Sequence, residues 1–233
     1  MIYIIGTAHV IDIKDRVKEV IRTTKPDAVA VELDEERYQK LMYSKSSKRN
    51  PQEFIASLYG ARAGDDMRGG IEGAREVNAE LYLIDEDIRG VYRKIDSIKE
   101  KRGDTIRRVL NNFPQIFKLG SPYMKALLQS LGTLFSKGKK KALEALMDFF
   151  INDFEKNPER YRELPRLFSP ALYQILINDR EEHMVKKIRE IRSKHERIVV
   201  ITGLAHLYGL KNLLKDLEVS WITTSELRED DKI

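Results

Sequence analysis

The sequence predicts an α/β fold: a mostly parallel central sheet covered by helices, with a large all-helical insertion between the third and fourth sheet strands. Three observations carry this. Short apolar runs alternate with helical spacing through roughly the first 90 residues. Strand patterns then vanish from about residue 90 to 195. Two more apolar runs follow, and the sheet needs them to be complete. The chain therefore reads as a single domain over 1–233, with its sheet core at 1–90 and 195–225 and its helical insertion at about 90–195.

Taken in order, "IYII" is an apolar run of strand length that opens the chain. "IKDRVKEVIRTT" sets Val17, Val20 and Ile21 on one helical face, and Pro26 lies just beyond. "AVAVEL" (28–33) is a second buried strand, and "EERYQKLMY" returns to helical spacing. Asn50-Pro51 with Glu53 has the chemistry of a helix start: a cap, a proline at the first position and a carboxylate able to reach back. "GDDMRGG" (64–70) reads as a loop, "IEGAREVN" as a short helix and "AELYLID" (79–85) as a third strand. The insertion is broken by turn chemistry at Asn112-Phe113-Pro114, Gly120-Ser121-Pro122, "SKGKKK", Asn157-Pro158 and Ser169-Pro170. "RIVVIT" (197–202) and "EVSWITT" are the last strands, separated by the amphipathic "LYGLKNLLKDL".

Composition excludes several classes. The 233 residues include no cysteine, which rules out a disulfide framework and thiolate chemistry. Any metal would be held by His, Asp, Glu or water. The longest apolar stretch, "ALEALMDFFINDF", is interrupted by Glu144, Asp148 and Asp153, and the N-terminus has no basic leader, so a cytoplasmic location is expected. The net charge of +5 is uneven. Eleven basic residues between 99 and 141 face only Glu100 and Asp104. That pattern is either a solvated helical face with a lysine loop or a surface for docking on an anionic membrane. The stretch carries no nucleic-acid motif, and Phe113, Phe117 and Tyr123 have core-like spacing, so nucleic acid is not an expected partner. Apolar faces that include Leu127, Leu128, Leu131, Leu143, Leu146 and Phe150 offer a surface for a homodimer.

The chemistry gathers at the strand ends. "IYIIGTAHV" is echoed by "IVVITGLAHL" at 198–207: an apolar run, then Gly-x-Ala-His. In a parallel sheet the strand C-termini emerge at one edge, where ligands bind. The four runs end in His9, Glu32, Asp85 and His206, groups that bind divalent metals or run acid–base chemistry. Gly6 and Gly203 would let the backbone turn sharply or approach a ligand closely. Each residue also has a plainer role open to it: a hydrogen-bonded structural histidine, or a helix cap at Asp34 or Asp85. His183 and His195 sit in a charged helix and read as exposed or capping.

"GTAH", "VELDEERYQKL" and "GLAHLYGL" resemble the TraB family, the pheromone-shutdown TraB/PrgY-like proteins. That family is related to GumN and the Tiki metalloproteases, within the erythromycin-esterase/ChaN-like fold group. "NDREEHM" (178–184), with Arg180 central, and "GIEGAREVNAELYLID" match further family segments. The third strand departs from the family pattern: its aspartate is followed by "EDIR" where an arginine often stands, leaving Arg89 as the nearest basic group.

The resemblance implies a metal-dependent, peptidase-like hydrolase with His9, His206 and Glu32 at its core. Mn²⁺ or Co²⁺ would be the ion, lowering the pKa of a bound water. Whichever of Glu32 or a histidine is not a ligand would be the general base. Arg37 and Arg180 would hold a substrate carboxylate or stabilise an oxyanion, or instead pair with Glu32, Asp34 or Asp179 to fix the site's shape. Two other functions fit the same residues. One is non-catalytic sequestration of a peptide. The other is metal-free hydrolysis of an ester with a histidine base. The absence of a Gly-x-Ser-x-Gly elbow argues against a serine hydrolase.

Overall fold

A computed structural model of the chain describes residues 1–8, 12–43, 64–99 and 102–229. His9 and the Asn50-Pro51 helix start lie outside the described residues. In chain order the elements are β1 (Ile2–Thr7), α1 (Lys14–Thr24), β2 (Ala28–Val31), α2 (Glu35–Tyr43), α3 (Asp65–Glu76), β3 (Glu80–Leu83), α4 (Ile88–Asp96), α5 (Arg102–Asn111), α6 (Phe113–Lys137), α7 (Lys139–Lys156), α8 (Pro158–Phe168), α9 (Pro170–Tyr173), α10 (Asp179–Arg192), β4 (Ile198–Gly203), α11 (Leu204–Leu213), β5 (Val219–Ile222) and α12 (Thr224–Glu229). They form two compact units, Met1–Tyr92 with Asn178–Ile233, and Arg93–Ile177.

The first unit is an α/β layer structure. Its five strands pair in the order β3-β2-β4-β1-β5, every pair parallel. The apolar runs have no polar alternation because both faces are covered. One face carries Ile4, Ala30 and Val200 against α10 and α11, through Met184, Ile188 and Leu210. The other carries Ile5, Val31 and Ile201 against α1 and α3, through Val17, Ile21, Met67 and Ile71. The segment after the insertion supplies the centre of the sheet: β4 lies between β1 and β2. The chain leaves β1 along one face, through α1, and leaves β4 along the other, through α11. Such opposed exits open a crevice at the carboxyl ends of the two strands.

The stretch 64–70, expected as a loop, is helical from Asp65 onward. Its glycines are there for packing. A Cβ on Gly69 would stand 2.6 Å from the carbonyl oxygen of Lys14, and one on Gly73 would stand 2.8 Å from Ile21 Cδ1. Bare backbone lets α3 lie directly on α1, a requirement that outweighs glycine's poor helix propensity.

The second unit is helical throughout its described residues. Most of its breaks fall where turn chemistry placed them, including Gly138, Asn157-Pro158 and Ser169-Pro170. Gly120-Ser121-Pro122 does not break α6. Pro122 cannot donate to the carbonyl of Lys118, but the Ser121 hydroxyl donates to it at 3.1 Å, so that acceptor is not orphaned. Tyr123 stacks on Phe150 at 5.7 Å inside the unit. Phe113 and Phe117, expected in a core, are exposed.

Two measurements test this packing. Gly69→Ala should lower stability by about 1–3 kcal/mol in urea unfolding, despite a propensity gain of about 1 kcal/mol. At the amino edge of the sheet, Asp27 Oδ2 accepts the backbone N–H groups of Arg197 and Glu196 at 2.8 and 3.0 Å. The Arg197 N–H is the main cause of a carboxyl held below its ordinary range. A depressed folded pKa means stabilisation present above the unfolded value and lost as pH falls through the folded one. Asp27→Asn should therefore weaken the fall of stability with acid, read from unfolding curves across the acid range.

Candidate functional site

The buried polar and charged residues among those described are Thr7, Glu32, Asp34, Asp66, Asp85, Glu181, Thr202, His206 and Thr224. They gather at the carboxyl edge of the sheet. Burying so many polar groups is costly unless each is held, and the partners are specific. Glu32 follows β2 directly. Its Oε2 accepts the Thr202 hydroxyl at 2.7 Å and the Gly203 N–H at 2.6 Å. Its Oε1 accepts Arg180 Nη2 at 2.6 Å. The same guanidinium binds Asp85 twice, with Nε 2.9 Å from Oδ1 and Nη2 on Oδ2. Asp85 is fully buried and also accepts Arg37 Nη2 at 2.6 Å.

Burial pulls the Arg180 pKa down, but hydrogen bonding to Asp85 and the charge of Glu32 outweigh it, and the guanidinium stays above its ordinary range. Burial opposes the charge of Arg37 in the same way, and Asp85 and Asp34 more than offset it. Both arginines are committed cations that shape the site. Asp34 is the cap of α2, accepting the Arg37 N–H at 2.7 Å, and its other oxygen accepts the N–H of Ile88 at the start of α4. Asp85 instead joins the two guanidiniums, and α4 is capped by Asp87.

His206 lies in the first turn of α11 with its side chain 3% exposed. Its Nε2 is 3.5 Å from Glu32 Oε1, and its Nδ1 is 3.4 Å from Glu181 Oε1. Both approaches are within ion-pair range, and among the described residues Nδ1 makes no hydrogen bond. Glu181, also 3% exposed, rests against Gly209, where any Cβ would overlap its carboxylate. Gly209 follows His206 by one helical turn, so α11 offers both the imidazole and the gap beside it.

The glycines of the two Gly-x-Ala-His motifs lie on neighbouring strands but one residue out of step: Gly203 pairs with Thr7, and Gly6 with Thr202. The glycines consequently do different work. Gly203 presents its N–H to Glu32 from an ordinary extended conformation, φ −68°, with no sharp turn. At Gly6 a Cβ would stand 2.6 Å from Leu207 Cδ2, so its bareness admits α11. Thr7 donates to Asp66 on α3 and, at 3.2 Å, to the Thr202 carbonyl. His183 and His195, expected as exposed or capping, are both half-buried. His195 sits before β4, at the other edge, 2.9 Å from the Tyr82 hydroxyl.

Sequence reasoning missed Glu181 and Asp66. Glu181 had a legible signal: with Met184, Val185, Ile188 and Ile191 it occupies the apolar stripe of α10, where a carboxylate needs a reason. Asp66 was hidden by reading its segment as a loop.

Residues 114–224 match the model of the TraB/PrgY/gumN family, as the motifs led us to expect. The match takes in the helical middle and the second Gly-x-Ala-His, whereas "GTAH" and "VELDEERYQKL" lie outside it. An uncharacterized protein of Methanocaldococcus jannaschii is 29% identical over 239 residues, covering 93% of this chain and 54% of that protein. The chain thus spans about half the length of the curated relative it matches.

Arg180 is the test of the network. Arg180→Met strands Glu32 and Asp85 and should cost about 3–5 kcal/mol in urea unfolding, as broken buried pairs do. Arg37, 26% exposed against 15% for Arg180, should cost clearly less on the same substitution because water screens its pairs.

Proposed function

We propose that this chain, whose residues 114–224 match the TraB/PrgY/gumN family, is a hydrolase whose acid–base chemistry runs through His206 and Glu32, with peptides as the substrate class that the family resemblance suggests. The observation that carries this reading is the buried His206 imidazole between two carboxylates, 3.5 Å from Glu32 and 3.4 Å from Glu181. An imidazole and a carboxylate side by side, shielded from bulk water, can pass a proton to or from a reacting water. Glu32 is fixed for this by Thr202, Gly203 and Arg180. Arg180 and Asp85 position Glu32, and Glu181 positions the far side of the ring.

The Mn²⁺ or Co²⁺ implied by the Tiki resemblance would need His9, His206 and Glu32 to converge. Among the described residues no group of three or more His, Asp or Glu side chains is placed to hold a metal ion. Both oxygens of Glu32 are already taken by fixed donors. His206 and Glu32 would then hold the ion together with His9, which lies outside the described residues.

A second reading is sequestration of a peptide without cleavage. It is favoured by the arginines, which bind Asp34, Asp85 and Glu32 of the site itself, an arrangement suited to holding a shape.

A peptide library and small esters incubated with the wild-type chain, Glu32→Gln and His206→Asn separate these readings. Turnover should fall by about 10²–10⁴-fold in each variant, with the circular dichroism spectrum retained. Peptide binding that needs His206 but yields no product would support sequestration instead. Calorimetric titration of the chelator-treated chain with Mn²⁺ and Co²⁺ tests the ion. Tight binding abolished by His206→Ala and Glu32→Ala would support a metal-dependent mechanism.

A further inference from the structure

We propose that the outer face of α5 and α6 is a docking surface for an anionic phospholipid bilayer, with the helical unit lying on the membrane plane. Helical hydrogen bonds continue through the junction of the two helices. The Asn112 N–H donates to the Arg108 carbonyl at 3.0 Å, and the Ile116 N–H to the Asn112 carbonyl at 2.9 Å. The two helices therefore share one phase. At 3.6 residues per turn, Leu110, Phe113, Phe117, Met124, Leu128 and Phe135 fall in an arc of about 60°. All six are exposed, from 57% for Phe113 to 88% for Phe135. The Phe113 and Phe117 rings stack on each other at 6.2 Å on this outer face, away from the packed side of α6 where Tyr123 meets Phe150. A run of large apolar side chains in one arc is more than the scattered exposure normal for a surface.

The occupant follows from charge. Arg107, Lys118 and Lys125 are exposed and line one flank of the stripe, about 100° round from its centre. No acidic residue occurs between Asp104 and Glu144. An apolar stripe flanked by long basic side chains suits a bilayer: the stripe enters the acyl boundary, and the cations extend to anionic headgroups. A second copy of the chain would bring two unrelieved basic flanks together, which is repulsive. A nucleic acid would satisfy the cations and leave the stripe in water. No described helix is long and apolar enough to cross a membrane, which matches a helix that lies on the surface.

Co-sedimentation of the full chain with phosphatidylcholine–phosphatidylserine vesicles, and with phosphatidylcholine alone, tests the proposal. Binding should be about tenfold or more tighter to the anionic vesicles and should weaken as salt rises. The double variant Phe117→Ser, Phe135→Ser should lose about tenfold or more. The triple variant Arg107→Glu, Lys118→Glu, Lys125→Glu should lose a comparable amount on anionic vesicles alone. All five side chains are exposed, so both variants should keep the wild-type circular dichroism spectrum. Three results would each overturn the proposal: no binding to anionic vesicles, equal binding to both vesicle types, or binding unchanged in the variants. A stable dimer in ultracentrifugation that Phe135→Ser dissociates would assign the stripe to a second copy instead.

Discussion

The Arg180 guanidinium joins Glu32, at the end of β2, to Asp85, beyond β3, and the carboxyl edge of the sheet depends on that bridge. Through Glu32 it reaches Thr202 and Gly203 on β4. Through Asp85 it reaches Arg37, whose other partner Asp34 caps α2 and ties in the start of α4. Two buried carboxylates so close together would repel one another and lose hydration. A single cation with a planar fork of donors satisfies both, a geometry that lysine cannot copy. The site is rigid because its charges are interlocked.

The sheet topology decides what that rigid edge presents. β4 enters between β1 and β2, and α11 leaves it at once along the face opposite α1. His206, three residues past the end of β4, is thereby lodged beside Glu32 from the neighbouring strand. Gly209, one turn further on, leaves room for the Glu181 carboxylate. The imidazole is enclosed by three segments far apart in sequence, and its surroundings exist only when all three have come together.

Much of this was legible in the sequence. Uninterrupted apolar runs marked strands buried on both faces, and a sheet with parallel strands put their final residues on one edge. Glu32, Asp85 and His206 were found that way. The repeated motif suggested two equivalent glycines, and the one-residue offset between β1 and β4 shows why they are not: they belong to opposite faces. Residues 64–70 misled because glycine-rich composition marks either a turn or a helix that must approach another closely, and only tertiary packing tells the two apart. Among its acidic neighbours Glu181 is singled out only by helical spacing, which sets it in line with Met184, Val185, Ile188 and Ile191.

The central position of β4 also governs how the chain can assemble. β1 pairs only with β4 and β5, so its first residues must wait for partners roughly 200 positions downstream. β2 can pair early with β3, but its other side stays open until β4 is made. On the ribosome β1 is therefore an unpaired apolar edge until β4 has been made, a state in which such edges aggregate. The long helical insertion, rich in local contacts, lengthens that wait. β4 and β5 close a sheet whose first strand emerges roughly 200 residues before them.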